Sequence, residues 1–225
     1  MLLHEGLGSL DLWRDLPQEL ARNTGLSVLA YSRYGYGKSD SFAEPREPDY
    51  MHHEARVILP QLLAGFAIPR PVLVGHSDGA SIALIYAGAY DIAALVVIAP
   101  HVFVEAVTVE SIAAMRASYE TTKLRERLAR RHRDVDATFY GWNDIWLDAR
   151  FRTWNIEDVL AGIRVPVLMI QGDGDAYGTL AQLDSIRAAV SNTTTLIVPG
   201  AGHNPQRDAP ETVIAAIVAF AHNVG

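Results

Sequence analysis

The chain has 225 residues, 49% of them apolar and 20% charged, which suits one α/β domain with a full core and leaves little for a second. A net charge of −7 excludes a general affinity for nucleic acid or for an anionic membrane. The absence of cysteine excludes disulfides, thiolate metal sites and a cysteine nucleophile, and no apolar run approaches the roughly 18 residues of a membrane span.

Met1 to His4 reads as a short strand that enters the loop His4-Glu5-Gly6-Leu7-Gly8-Ser9. Leu10, Leu12, Trp13, Leu16 and Leu20 then recur at helical spacing, with Ser9 or Asp11 as cap. Neither a basic region nor a long apolar segment of the signal-peptide kind opens the chain, and the expected compartment is the cytoplasm. Leu26 to Ser32 is β-prone and predicts a strand, followed by the glycine-punctuated loop Arg33-Tyr34-Gly35-Tyr36-Gly37-Lys38-Ser39. A helix is expected from about Tyr50 to Phe66, kinked or interrupted at Pro60.

The segment Pro71 to Leu84 carries the strongest signal. The apolar run Val72-Leu73-Val74 passes through Gly75-His76-Ser77-Asp78-Gly79 into Ala and Leu at helical spacing, which reads as strand, tight turn and helix. Such a turn holds Ser77 in a strained conformation, so a Cβ on either flanking glycine would collide with a neighbour. The helix starting at Asp78 aims its free N–H groups and positive dipole end at the Ser77 hydroxyl. This is the pattern of a nucleophile elbow; the plain alternative is a glycine-rich turn with an ordinary capping serine.

The elbow helix is expected to reach about Tyr90. Further buried strands are expected at Ile92 to Ala99, Val165 to Gln171 and Thr194 to Val198, with helices near Thr179 to Ser191 and Pro210 to Asn223. Repeated βα units predict a mostly parallel sheet with helices on both faces. Residues from about 101 to 160 break the alternation. They offer a charged helix over about Val109 to His132 and an aromatic segment with Phe139, Tyr140, Trp142, Trp146, Phe151 and Trp154, which together read as a helical lid inserted at the C-terminal edge of the sheet.

A serine hydroxyl needs a base within hydrogen-bond reach and a carboxylate to orient that base. Later strand ends supply both, in Gly172-Asp173-Gly174-Asp175 and Gly200-Ala201-Gly202-His203. With the Gly6 loop, the Gly35 to Ser39 loop and the elbow, these motifs closely resemble the α/β-hydrolase fold family, in order and over nearly the whole chain. The resemblance implies one α/β-hydrolase domain spanning residues 1–225. It also implies Ser77 as nucleophile, His203 as general base and acid, Asp175 as orienting acid in preference to Asp173, and the amides of Gly6 and Asp78 as oxyanion donors. Glu5 departs from the family, which usually has Gly there, and Ser32 replaces an Asp.

The activity so implied is hydrolysis of a small carboxylic ester or related acyl compound through an acyl-enzyme, with no cofactor and no metal. The alternatives are C–C bond, thioester or aminoacyl-ester and peptide hydrolysis on the same triad, or a ligand-binding member of the fold that has lost turnover. Asp78 reads first as an acid at a helix N-terminus and second as a receiver of a substrate ammonium group. Tyr140, Trp142 and Trp146 are candidate substrate contacts, against the simpler reading of a packed lid. The adjacent His52 and His53 point apart on a helix and make no metal site, and His4 is a loop anchor. The run from Lys123 to His132 reads as a solvated helix face with Glu126 and Arg130 paired, or alternatively as a contact for an anionic substrate. The strand pair that opens the family's sheet is missing, so Leu26 to Ser32 is expected to form an edge that pairs with a second copy of the chain or belongs to a longer natural protein.

Overall fold

Apolar runs assemble a sheet buried on both faces because the pleat sends successive side chains to opposite sides. In the computed structural model, which describes residues 1–42 and 44–224, the strands are β1 (Leu2–Leu3), β2 (Val72–His76), β3 (Ala94–Ile98), β4 (Val167–Gly172) and β5 (Thr193–Val198). They lie side by side in chain order and all pair in parallel. Leu73, Leu95, Val97, Val167 and Met169 point into one core, and Val74, Val96, Ile98, Leu168 and Ile170 into another. Two-sided burial is what their nearly continuous apolar runs require.

Helix α1 (Leu16–Thr24) covers the second face together with the C-terminal helix Pro210–Val224, through Leu16, Leu20, Val213 and Ile217. The first face takes a long helical segment built in three parts: α2 (Tyr50–His53), a π-helical turn (Glu54–Ile58) and α3 (Leu59–Gly65). Pro60 has no N–H to give Arg56, four residues back. The hydroxyl of Tyr90 donates to the Arg56 carbonyl instead, at 3.3 Å, and the widened turn absorbs the misfit that the sequence places at Pro60 itself. Helix α4 (Asp78–Ala87) packs centrally on the same face and is buried along its whole length, shorter than the sequence suggests because it ends before Gly88.

Between β3 and β4 stand α5 (Ala106–Thr121), α6 (Leu124–Ala129), α7 (Val135–Leu147), a 3₁₀ turn (Ala149–Thr153) and α8 (Glu157–Leu160). The insertion is helical, but the single helix expected over Val109 to His132 is two. The chain continues through α9 (Ala181–Ala189), α10 (Pro205–Asp208) and α11, the Pro210–Val224 helix. No helix among the described residues is long and apolar enough to cross a membrane.

The strand expected over Leu26 to Ser32 is corrected by the structure. The segment makes one isolated parallel bridge, Leu2 to Ala30, and a backbone bond from Leu2 N to Leu29 O at 2.8 Å. A ladder needs a partner of equal length, and β1 offers only Leu2 and Leu3.

Candidate active site

The elbow follows from the steric demands of its glycines. Ser77 has φ 52° and ψ −120°, outside the regions an L-residue adopts without strain. The surroundings hold it there: its N–H donates to Ile98 O at 2.9 Å, while its carbonyl accepts from Ala80 N at 2.8 Å in the first turn of α4. A Cβ on Gly75 would lie 2.5 Å from Ala80 Cα, and one on Gly79 would lie 2.5 Å from the Leu3 carbonyl carbon and 2.7 Å from His4 O. Strand, helix and the first loop therefore approach more closely than any side chain allows.

The end of β4 and the loop after β5 complete a hydrogen-bonded chain. The Nε2 of His203 lies 2.9 Å from Ser77 Oγ, and its Nδ1 lies 2.9 Å from both carboxylate oxygens of Asp175. Asp175 also accepts from Tyr177 N at 2.8 Å and from Gln171 Nε2 at 2.9 Å. Burial pushes its carboxyl up, but the His203 hydrogen bond and charge and the Tyr177 amide outweigh this and hold it below the ordinary carboxylate value. An ionised Asp175 fixes the proton of His203 on Nδ1, which leaves Nε2 to take the Ser77 proton. Asp173 does something else: its Oδ1 accepts from Gly200 N at 2.7 Å and ties the two loops together.

A family model described as "Alpha/beta hydrolase family" matches residues 1–216. The chain belongs to the alpha/beta hydrolase family. Similar solved structures include a hydrolase from Pseudomonas aeruginosa PA01, with a TM-score of 0.76 and 20% identity over 97% of this chain and 88% of that one. A thermophilic esterase from Thermogutta terrifontis, described as malate bound, has a TM-score of 0.76 and 18% identity over 99% and 89%. A proline iminopeptidase from Mycobacterium smegmatis has a TM-score of 0.71 and 18% identity over 99% and 88%. No curated protein matches the sequence significantly.

In this member of the family Ser77, His203, Gly6 and Asp78 border one cavity of about 500 Å³, a size that suits a small molecule. Gly6 has no room for a side chain, because a Cβ would meet the Trp142 indole, 2.9 Å from its Cε2. Trp142 and Trp146 line the cavity with Ile112, Met115 and Leu128. Tyr140 does not: it faces a separate depression with Phe42 and Arg46, because one step along α7 from the buried Phe139 turns it away from the site. Asp78 is 1% exposed, and its Oδ2 accepts from the Tyr50 hydroxyl at 2.7 Å, while Trp146 Nε1 donates to the same hydroxyl oxygen at 3.1 Å. Its carboxylate is thus turned into the protein, with Oδ1 buried and unpartnered among the described residues.

The residues around the first loop are fixed by buried polar contacts. His4 Nδ1 donates to Glu5 O at 2.8 Å and its Nε2 accepts from Arg33 N at 3.0 Å, while the buried Arg33 guanidinium donates to the His4 and Glu5 carbonyls at 3.1 Å. Burial and the Arg33 charge hold the His4 imidazole well below its usual value, so it stays neutral as an anchor. Glu5 reaches His76 Nδ1 at 3.3 Å, and His76 Nε2 donates to His203 O at 2.7 Å. Burial pushes the Glu5 carboxyl up, but the His76 hydrogen bond and charge bring it down to about 2. The atypical Glu5 therefore braces the loop that carries His203.

Sequence reasoning passes over His101, Tyr177 and Arg207, all on the cavity wall. His101 is 2% exposed, with its ring 5.1 Å from Trp146 and 5.7 Å from His203. Burial, then the His203 charge, lowers its imidazole to about 3. Its position just after Pro100, at the C-terminal end of an apolar strand, is a usable sequence signal, since parallel sheets build their sites there. Arg207 carries no such signal. No cluster of His, Asp or Glu suited to a metal ion exists among the described residues.

Proposed function

We propose that this hydrolase cleaves a small carboxylic ester or related acyl compound through an acyl-enzyme on Ser77. The observation that carries the reading is the continuous hydrogen-bonded chain Asp175–His203–Ser77, each link 2.9 Å, opening on a cavity lined by apolar side chains. Ser77 Oγ attacks the acyl carbon as its proton passes to His203 Nε2, and the amides of Gly6 and Asp78 stabilise the resulting oxyanion. The carbon–oxygen bond to the leaving group then breaks, and that oxygen takes the proton from Nε2. Water repeats the sequence: His203 removes its proton, the hydroxide adds to the acyl carbon, and collapse frees the acid and returns the proton to Ser77.

Asp175 orients the imidazole and stabilises its cationic form in each half-reaction. Trp142, Trp146, Ile112 and Met115 form an apolar seat for the acyl chain. The role of Asp78 in this reading is its backbone amide, because its carboxylate is committed to Tyr50.

A fluorophosphonate probe is expected to label Ser77 in the wild type, and para-nitrophenyl butyrate to be hydrolysed. Ser77→Ala is expected to lose both, with turnover falling by about 10⁵-fold or more and the fold retained. A Ser77→Ala variant within about tenfold of wild type would overturn the assignment.

A further inference from the structure

The chain as a whole is acidic, with a net charge of −7, yet the mouth of the catalytic cavity is not. Arg127, Arg130, Arg131 and Arg207 all line it. Arg131 lies 3.8 Å from Asp11 and Arg207 lies 3.6 Å from Asp208, both loose exposed pairs. Arg127 and Arg130 have no carboxylate within salt-bridge distance among the described residues. The acidic residues on the same wall do not neutralise them. Glu5 is held by His76, and Asp78 is turned to Tyr50.

The placement is a property of the lid. On α6 and its continuation, Leu124, Arg127, Leu128 and Arg131 recur at i, i+3, i+4 and i+7 and so share one face, and that face borders the cavity, as does Arg130 in the turn that closes α6. Arg125 points elsewhere and pairs with Asp136. The end of this segment is fixed to the catalytic loops: His132 Nδ1 accepts from Gly37 N at 3.0 Å, His132 Nε2 donates to Leu7 O at 3.1 Å, and Arg133 N donates to Gly37 O at 2.7 Å. The arginines therefore stand on a braced rim beside the loop that holds Gly6.

We propose that the substrate carries a negatively charged group, a carboxylate or a phosphate, at the end remote from the scissile bond, and that Arg127 and Arg130 bind it at the cavity mouth. This names the substrate class of the acyl hydrolysis above and rests on that reading. The rim arginines present planar arrays of N–H donors suited to two-oxygen anions, and the apolar wall between rim and Ser77 seats the rest of the molecule.

The test compares kcat/KM for anionic and neutral esters of matched size. Monophenyl glutarate against phenyl pentanoate places the charge on the acyl side. The esters para-acetoxybenzoate and para-acetoxyphenyl phosphate, against para-tolyl acetate, place it on the leaving group and separate carboxylate from phosphate. Wild type is expected to favour at least one anionic ester by about tenfold, an advantage eroded by raising the salt to about 0.5 M. The double variant Arg127→Glu, Arg130→Glu is expected to lower that ratio by about tenfold or more, while Lys123→Glu, the same charge reversal off the cavity, moves it less than about twofold.

Where the esters are turned over, the inference is overturned if no anionic ester is preferred, if the double variant keeps the wild-type ratio, or if Lys123→Glu lowers the ratio equally. Calorimetric titration of monophenyl glutarate into Ser77→Ala separates this failure from that of the hydrolase reading. Binding that the rim substitutions weaken supports the rim even where no ester is turned over, and absence of binding counts against it.

Discussion

Replacing Asp175 by Asn tests the site most sharply, because the two residues differ by one atom and one charge. In the structure both carboxylate oxygens lie 2.9 Å from His203 Nδ1, and the remaining partners, Tyr177 N and Gln171 Nε2, are donors too. An asparagine must place its NH₂ against a donor in either orientation. If it faces His203, the imidazole takes the tautomer with its proton on Nε2, aimed at Ser77 and useless as a base. The cationic imidazole of the transition state also loses its counter-charge in a site where that carboxylate is only 2% exposed.

A loss of this kind amounts to about 10⁴-fold in kcat, or about 5 kcal/mol of barrier. Asp173→Asn keeps the acceptor that Gly200 N needs and is expected to stay within about threefold of wild type. The assay is kcat on para-nitrophenyl butyrate, with thermal melts to show that both variants fold. An Asp175→Asn enzyme within about tenfold of wild type, or an Asp173→Asn enzyme slower than Asp175→Asn, would refute the reasoning.

Gly79→Ala is expected to destabilise the fold by about 3 kcal/mol, because the atoms its Cβ meets, Leu3 C and His4 O, are backbone and cannot rotate away. A thermal melt indistinguishable from wild type would contradict the close approach. His101 is neutral when folded, lowered to about 3, so an unfolded chain binds its proton first as pH falls below 6.5. Its contribution to stability is complete above that value and is lost progressively down to about 3, roughly 2 kcal/mol of it between pH 6.5 and 5. Denaturant titrations of wild type and His101→Gln across that interval are expected to differ by this slope, and equal slopes would place the ring in water.

The candidate site was legible as a juxtaposition of residues because its constraints are local. A glycine on each side of Ser77, a Gly-x-x-Asp after one apolar run and a Gly-x-Gly-His after the next are imposed by backbone crowding and by the C-terminal edge of a parallel sheet. Constraints set by a distant partner were not legible. Leu26 to Ser32 has strand composition, but rungs depend on what lies alongside, and β1 supplies one. Tyr140 and Trp142 read alike as aromatic lid residues, and only the packing of Phe139 decides which of them meets the cavity.

The basic run from Lys123 to His132 shows how a small backbone event changes a residue's role. As one continuous helix it would be a solvated face, with Glu126 and Arg130 on neighbouring turns. The helix instead ends at Thr121, and Thr122 lies outside it. Their hydroxyls donate back to the carbonyls of Ala117 and Ser118, each at 2.6 Å, a competing bond that weakens and bends a helix. Thr122 is extended, with φ −123° and ψ −177°, and its Oγ1 then accepts from Leu124 N at 3.1 Å, restarting the chain as α6 in a new direction. Redirected, Arg125 finds Asp136, Glu126 has no ion-pair partner among the described residues, and Leu124, Arg127 and Leu128 turn to the cavity. The charge pattern of the run is unchanged by the break, but the face it presents is not. Broken at Thr122, the run presents Leu124, Arg127 and Leu128 to the pocket that holds Ser77 rather than a single solvated face.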